Sequence, residues 1–342
     1  MRKIIGAVAT AAALAVAVSG CGSTKDDKSQ GGGSGKIGAT VPLLTSPFWQ
    51  AYNNYVPRMA KDSGLDVLPT VNADNDTQKQ ITDINNLLNQ GVDGLLVTPL
   101  DSAAVVAGLD QAERKGVPVV SVDVRPEGGK VAMVVRADNK AYGTKACDVI
   151  GAKVKEGKVI QIMGDLSSIN GRDRSEAFRE CMTTKYPSIE VLEIAAEWKA
   201  EKAASGLENL LTSNPDIKGI YMQAGGVYLA PTLQALKRKN LDFPVGAPQH
   251  IVTVSNDGIP QELEAIRAGE LDATVSQPAD DYAKYGMYWL KKALAGEKLT
   301  TGPTDHNSIV VDVGNGILED QLPAPVITKD NVDDNALWGN TL

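Results

Sequence analysis

The sequence is poor in aromatics, histidine, cysteine and basic residues, and each shortage removes a class of function. Aromatics make up only 5% of the 342 positions. The two histidines, His250 and His306, have no carboxylate or cysteine at a recognisable metal-motif spacing. Neither a G-x-S-x-G elbow nor a phosphate loop occurs. No metal site and no cofactor is expected. Basic residues number 34 against 42 acidic ones and form no stripe, which argues against nucleic acid and anionic membrane surfaces as partners. Cys147 and Cys181 are the only cysteines in the body of the chain. In an oxidising compartment the pair reads as a disulfide closing a loop of about 34 residues, with two separately buried thiols as the alternative.

The compartment is indicated by the N-terminus. Arg2-Lys3, an apolar run from Ile4 to Val18 and small residues up to Gly20 describe an export signal, too short for a comfortable membrane span. The cut before Cys21 resembles the lipobox of bacterial lipoproteins, in which the cysteine is lipidated and becomes the mature N-terminus. That resemblance implies loss of residues 1–20 and a lipid anchor at Cys21 on the outer face of the cytoplasmic membrane; an ordinary signal peptide with an incidental cysteine is the alternative. Without Arg2 and Lys3 the net charge is near −10. Residues 21–36 are rich in Gly and Ser and read as a flexible tether with a reach on the order of 20 Å. Gly33, Gly35 and Gly38 fit a dinucleotide fingerprint, but they precede a strand instead of following one, so nucleotide binding there is discounted.

Beyond the tether, about 305 residues alternate strand and helix patterns. The apolar run Ile37–Val41 predicts a strand, ending at Pro42 and a loop before Phe48 and Trp49 open a helix. Two adjacent aromatics then lie at the carboxyl end of a strand, the edge where open α/β sheets bind ligands; the competing reading of Phe48 is core packing. Strands are expected at 65–71, 94–98, 117–122 and 131–135, and helices at 77–90 and 103–115, the latter capped by Asp101 and Ser102. A second series predicts strands at 158–163, 189–195, 217–223, 251–256, 273–276 and 308–313. Its helices are expected at 142–155, 171–186, 200–213, 227–240, 261–268 and 281–294, with an irregular tail. Strict alternation argues for α/β, doubly wound parallel sheets, and ten or so strands argue for two lobes.

Eight segments in order carry a family resemblance: PLLTSPFW, VTPLDS, PVVSVD, ADNKAYG, GRDRSEAF, a Trp before a helix ending in NLLTSNPDIKGIYMQ, VSNDG and ATVSQP. From about residue 37 to 313 the chain resembles periplasmic sugar-binding proteins of the ribose-binding type, the substrate-binding components of ABC transporters. The resemblance implies two Rossmann-like lobes joined by a three-crossover hinge and closing on a ligand like a flytrap. It divides the chain near Ala137, Gln277 and His306, giving 37–137 plus 278–306 as one lobe and 138–277 plus 307–342 as the other. It places Phe48 and Trp49 on the first lobe and Trp198 on the second, with the ligand between them. Asp123 and Asp257 would accept from hydroxyl pairs, Arg174 would donate, and Gln277 would sit at a hinge crossing. Ser46 and Asn256 match further contacts, and Arg125, Ala137 and Ala224 occupy additional positions of the pattern. Strand-end aspartates also serve as plain caps, which is the competing reading of Asp123 and Asp257.

A sugar or polyol offers apolar C–H faces and a ring of hydroxyls, which suits flat aromatics with bidentate acceptors and donors. The chain departs from the ribose pattern at Val124, where an arginine is expected and Arg125 follows one step late. It departs again at Ala224, which replaces an asparagine, and at Asn256, which replaces an aromatic. These departures predict a polyhydroxylated ligand other than ribose: a pentose, a hexose or a linear polyol. The expected partners are that ligand and an ABC permease with its ATPase, with the protein itself a monomer. A rival reading makes Asp123 and Asp257 a glycosidase pair, but their placement on opposite lobes beside an arginine suits binding better than proton transfer. A third reading is a sensory receptor that passes its ligand state to a membrane signalling partner.

Overall fold

The computed structural model describes residues 35–341. The export signal, Cys21 and the tether up to residue 34 lie outside the described residues. Two sheets organise the chain. The first runs, edge to edge, through Gly302–Pro303, Ile309–Asp312, Leu318–Leu322, Met133–Ala137, Val119–Val122, Gly94–Val97, Lys36–Val41 and Asp66–Val67. The second runs through Val326–Ile327, Ala273–Ser276, Val252–Asp257, Ile217–Met222, Gly157–Met163 and Ile189–Ala195. Pairing is parallel from Leu318–Leu322 to Asp66–Val67 in the first sheet and everywhere in the second except at Val326–Ile327. Strands such as Gly94–Val97 and Ala273–Ser276 are buried at every residue, because helices cover both faces.

On the first sheet, Pro47–Ser63 and Ala279–Leu294 share one apolar core while Thr77–Asn89 and Val106–Arg114 share another. On the second, Asn139–Val154 and Ile169–Lys185 cover one face, and Ala200–Ser213 and Gly225–Arg238 the other. Cys147 and Cys181 join the first pair of these helices through a disulfide, with Cα atoms 6.2 Å apart. The chain passes between the sheets at Ala137–Asn139, at Ser276–Ala279 and at Leu322–Val326. No helix among the described residues is long and apolar enough to cross a membrane.

Three expectations are corrected. The strand expected over 65–71 is two short pieces, Asp66–Val67 and Val71–Asn72, both paired with Lys36–Val41; Pro69 between them has no N–H to donate. The helix expected from Ala103 becomes regular only at Val106. Its first turn is tighter, with Val106 and Ala107 bonded three residues back and Asp101 Oδ1 accepting from the Ala103 and Ala104 amides. The tail is irregular only in part: Ile309–Asp312 and Leu318–Leu322 belong to the first sheet, so the last crossing falls after Leu322 instead of near His306. The acidic strand Leu318–Leu322 is tolerated inside because both its carboxylates are matched. Glu319 meets Arg125 and Arg136, and Asp320 accepts from Trp289 Nε1 and Ser308 Oγ and faces His306.

Candidate functional site

The carboxyl ends of both sheets open on one cleft. Its lining comes from the loop after the first strand, the end of Val119–Val122, the start of Ile169–Lys185 and the turns after Ile189–Ala195 and Val252–Asp257. The empty space, open mouth included, is about 620 Å³. Three side chains enter from strand ends whose backbone is left-handed or nearly so: Asp123 (φ 63°), Trp198 (φ 56°) and Asp257 (φ 131°).

Arg174 is the hub of the polar wall. Its Nε donates to Asn139 Oδ1 at 2.6 Å, and its two terminal nitrogens donate to the Gln223 carbonyl at 2.5 Å and Gln277 Oε1 at 3.0 Å. Gln277 in turn donates to Asp257 Oδ1 at 2.6 Å, and the Gly226 amide donates to Asp257 Oδ2 at 2.8 Å. Burial pushes the Asp257 carboxyl up to about 6 against the pull of Arg174 and these two donors. Behind it, Glu262 is fully buried and raised further, by burial and by the charge of Asp257. Burial also raises Asp123, with Arg174 and then Arg136 opposing. Asp123 Oδ1 is buried with no hydrogen-bond partner among the described residues, an acceptor poised for a donor from the cleft.

The aromatic walls are held rigidly. Trp198 lies against Gly164, where any Cβ would overlap its ring, and stacks on Tyr228 at 6.5 Å with the planes 13° apart. The Arg174 guanidinium sits 5.8 Å from the Trp198 ring centre. Phe48 meets Trp49, Tyr282 and Trp338 edge-on; it is only 2% exposed, so it is both core and cleft wall. Trp49 is half-buried and lines the same cleft.

Of the residues singled out in the sequence, Ser46, Phe48, Trp49, Asp123, Arg174, Trp198, Ala224, Asp257 and Gln277 all line this cavity. Three do not. Arg125 turns away to pair with Glu319 at 3.3 Å, leaving Val124 on the cleft wall. Ala137 is fully buried at the first crossing, its amide donating to Tyr282 Oη. Asn256 is fully buried outside the lining, with both side-chain amide atoms unpartnered among the described residues. Sequence reasoning missed Asn75, Asn170 and Ser168 on the wall, and Arg136 behind it. Arg136 is 2% exposed and reaches across to the second lobe, donating to Asn170 Oδ1 at 2.7 Å and Asp173 Oδ2 at 3.1 Å. Burial alone would lower its pKa; Glu319, Asp173 and Asp123 outweigh that and raise it.

Comparison with known proteins agrees with the two-sheet fold. A model for the periplasmic binding protein domain matches residues 37–298. The chain is 31% identical over 264 residues to the ribose import binding protein RbsB of Bacillus subtilis (strain 168), covering 77% of this chain and 83% of that protein. It is 27% identical over 332 residues to a xylitol-binding protein of Mycolicibacterium smegmatis, covering 96% and 86%. An ABC transporter solute-binding protein of Mycobacterium smegmatis with bound glycerol superposes with a TM-score of 0.76 at 26% identity, over 88% of this chain and 96% of that one. The Caulobacter myo-inositol-binding protein shares the fold, with a TM-score of 0.75 at 24% identity over 89% and 97%.

Proposed function

The chain belongs to the family of periplasmic binding protein domains and is a binding protein rather than an enzyme, and from that premise we propose that it captures one small sugar or polyol between its lobes for an ABC importer. One observation carries the reading. Asp123 on the first lobe, with an unpartnered buried oxygen, shares a single cavity with Arg174, Trp198 and Asp257 on the second. Charged acceptors, one guanidinium and flat rings within a single small cavity suit a neutral molecule that donates and accepts through hydroxyls and offers a C–H face. Open and closed arrangements exchange, and a ligand that touches both lobes favours the closed one. In this reading the protein is an exported monomer, held by lipid at Cys21 and docking on a permease with its ATPase.

Ribose is not the expected ligand. Val124 and Ala224 each bring an apolar side chain to the cleft where the ribose pattern has a polar one, and Asn256, outside the lining, offers no replacement contact. A hydroxyl left unpaired costs on the order of 1–3 kcal/mol. The test is a thermal-shift screen of the purified protein against D-ribose, D-allose, xylitol, glycerol and myo-inositol, with amino acids as controls. A ligand present at a hundred times its Kd stabilises by about 2.7 kcal/mol, so at least one sugar or polyol raises the Tm and outperforms ribose. A flat response to every polyhydroxyl compound refutes the reading.

A further inference from the structure

The disulfide lies on the same seam as the cleft's central arginine. The helices Asn139–Val154 and Ile169–Lys185 run side by side in parallel, and seam residues of the first meet residues 31 to 35 positions later. Asn139 Oδ1 accepts from Arg174 Nε at 2.6 Å. A Cβ at Gly143 would collide with the Arg174 carbonyl oxygen and lie 2.7 Å from the Phe178 amide nitrogen. Cys147 is bonded to Cys181. A Cβ at Gly151 would collide with the Tyr186 ring. Positions 139, 143, 147 and 151 recur every four residues, one face of a helix. Two of these contacts depend on the absence of a side chain: at Gly143 the two backbones touch, and at Gly151 the Tyr186 ring lies flat on the helix, so neither contact bonds one helix to the other. The only covalent link in the seam is Cys147–Cys181, two helical turns from the Asn139–Arg174 bond.

Asn139 transmits that registry to the site. Its Nδ2 donates to the Ala137 carbonyl at 2.9 Å, tying the start of the helix to the first crossing. Its Oδ1 fixes the guanidinium from one side while Gln277, from the second crossing, fixes it from another. A slip of one helix along the other by a fraction of a turn moves Asn139 out of reach of Arg174. We infer that the Cys147–Cys181 bond is a positioning element of the ligand site, holding two parallel helices in the register at which Asn139 aims Arg174 into the cleft. This rests on the reading of Arg174 as a ligand contact.

The test measures Arg174 first without ligand. In protein carrying ¹⁵N-labelled arginine, the Arg174 Nε–H signal is assigned by its loss in Arg174→Lys, and its hydrogen exchange is recorded. Cys147→Ala/Cys181→Ala is expected to accelerate that exchange at least tenfold at temperatures where the fold persists. Asn139→Ala alone does the same, and the triple variant adds nothing further, because all act through one bond. Wild-type protein reduced by excess dithiothreitol is the second sample, should the alanine variant fail to fold. There the sulfur–sulfur bond is exchanged for two thiols as the reagent closes to its cyclic disulfide, and the acceleration is the same. Calorimetry with xylitol then shows a tenfold weaker Kd in both samples. Unchanged Arg174 exchange alongside a lowered Tm overturns the inference and leaves the disulfide a global staple. Failure of xylitol to bind the wild type removes xylitol from the candidate ligands and leaves the sugar-or-polyol reading to the full screen, while the exchange measurement still decides this inference.

Discussion

Gly226 lets the lobes meet, and replacing it with alanine separates closure from folding. Gly226 opens the helix Gly225–Arg238 on the second lobe. A Cβ there would lie 2.8 Å from Ser46 Oγ and 3.5 Å from the Phe48 amide nitrogen, both on the first lobe, and 3.2 Å from Asp257 Oδ2. The tightest of these contacts exists only when the cleft is shut. Overpacking by one methyl costs about 1–3 kcal/mol, which is a roughly 5- to 150-fold weaker Kd. The open arrangement of the proposed exchange would avoid the contact. Alanine in a helix is better than glycine by up to about 1 kcal/mol, so the ligand-free Tm holds or rises.

The assay pairs calorimetric affinity for whichever sugar or polyol binds with the ligand-free melting curve. Ser46→Ala removes the obstructed oxygen, and it does so without uncapping a helix, because the Ser46 side chain makes no capping bond. Gly226→Ala combined with Ser46→Ala is therefore expected to bind as Ser46→Ala alone does. Unchanged affinity in Gly226→Ala, or a fall in ligand-free Tm with affinity intact, would show that Gly226 serves packing within its own lobe and that the reasoning about closure is wrong.

Three further outcomes follow from the same geometry. Asp257, raised to about 6 by burial, loses an acceptor on protonation, so affinity weakens by up to about tenfold per pH unit below that point. Its contribution to folding has the opposite sign: the native carboxyl holds its proton more tightly than an unfolded one titrating near about 4, so the stability it lends is greatest in acid and is lost as pH rises through about 6. His250, whose pKa is raised by its bonds to Asp272 and the Phe243 carbonyl against the opposing effect of burial, acts in the same direction. Titration calorimetry and ligand-free melting from pH 7 to pH 5 should thus diverge, and a parallel fall in both would contradict the assignment. Arg136→Met strands the buried Asp173 carboxylate and removes one of two cations at Glu319, a loss of about 3–5 kcal/mol in urea unfolding; a loss below about 1 kcal/mol would mean the pair is solvated. Trp198→Ala should abolish most ligand binding with little change in Tm, and normal affinity would make the ring a core residue only.

What the sequence disclosed depends on how local the cause was. The strands Ile189–Ala195 and Ala273–Ser276 and the helix Ala200–Ser213 fall where apolar spacing and flanking breakers place them, because both signals lie within each segment. Leu318–Leu322 was illegible because an acidic strand is buried only when distant cations meet it. Arg125 reaches Glu319 across 194 residues of chain, and Trp289 reaches Asp320 across 31. The site divides the same way. Asp123, Trp198 and Asp257 stand at strand ends, which a linear pattern marks. Arg125 resembled a cleft residue by its neighbours in sequence, yet Glu319 draws it aside. Arg136, next to the first crossing, is buried behind the cleft wall, and its partners Asn170 and Asp173 come from a helix on the other lobe.

The cleft is expensive to build, and under the proposed function that expense explains how a small ligand would close it. Asp123, Trp198 and Asp257 hold positive φ without being glycine, a strain on the order of 1–3 kcal/mol each, and both carboxylates are desolvated. The ligand-free fold carries these costs, so a ligand meets groups already aimed and need not order them. Closure also draws on bonds that involve no ligand. Arg136 meets Asp173 at 3.1 Å, Arg172 pairs with Glu127, and the Ile169 amide donates to Ser102 Oγ at 2.9 Å. Each links one lobe to the other, and together they offset part of the cost of bringing two hydrated surfaces together. The ligand then has to supply only the remaining difference between open and closed states, about 5.5 kcal/mol for a shift from 1:99 to 99:1. A few hydroxyl pairs on Asp123, Asp257 and Arg174 can provide that, because charge-assisted hydrogen bonds contribute about 1.5–3 kcal/mol each.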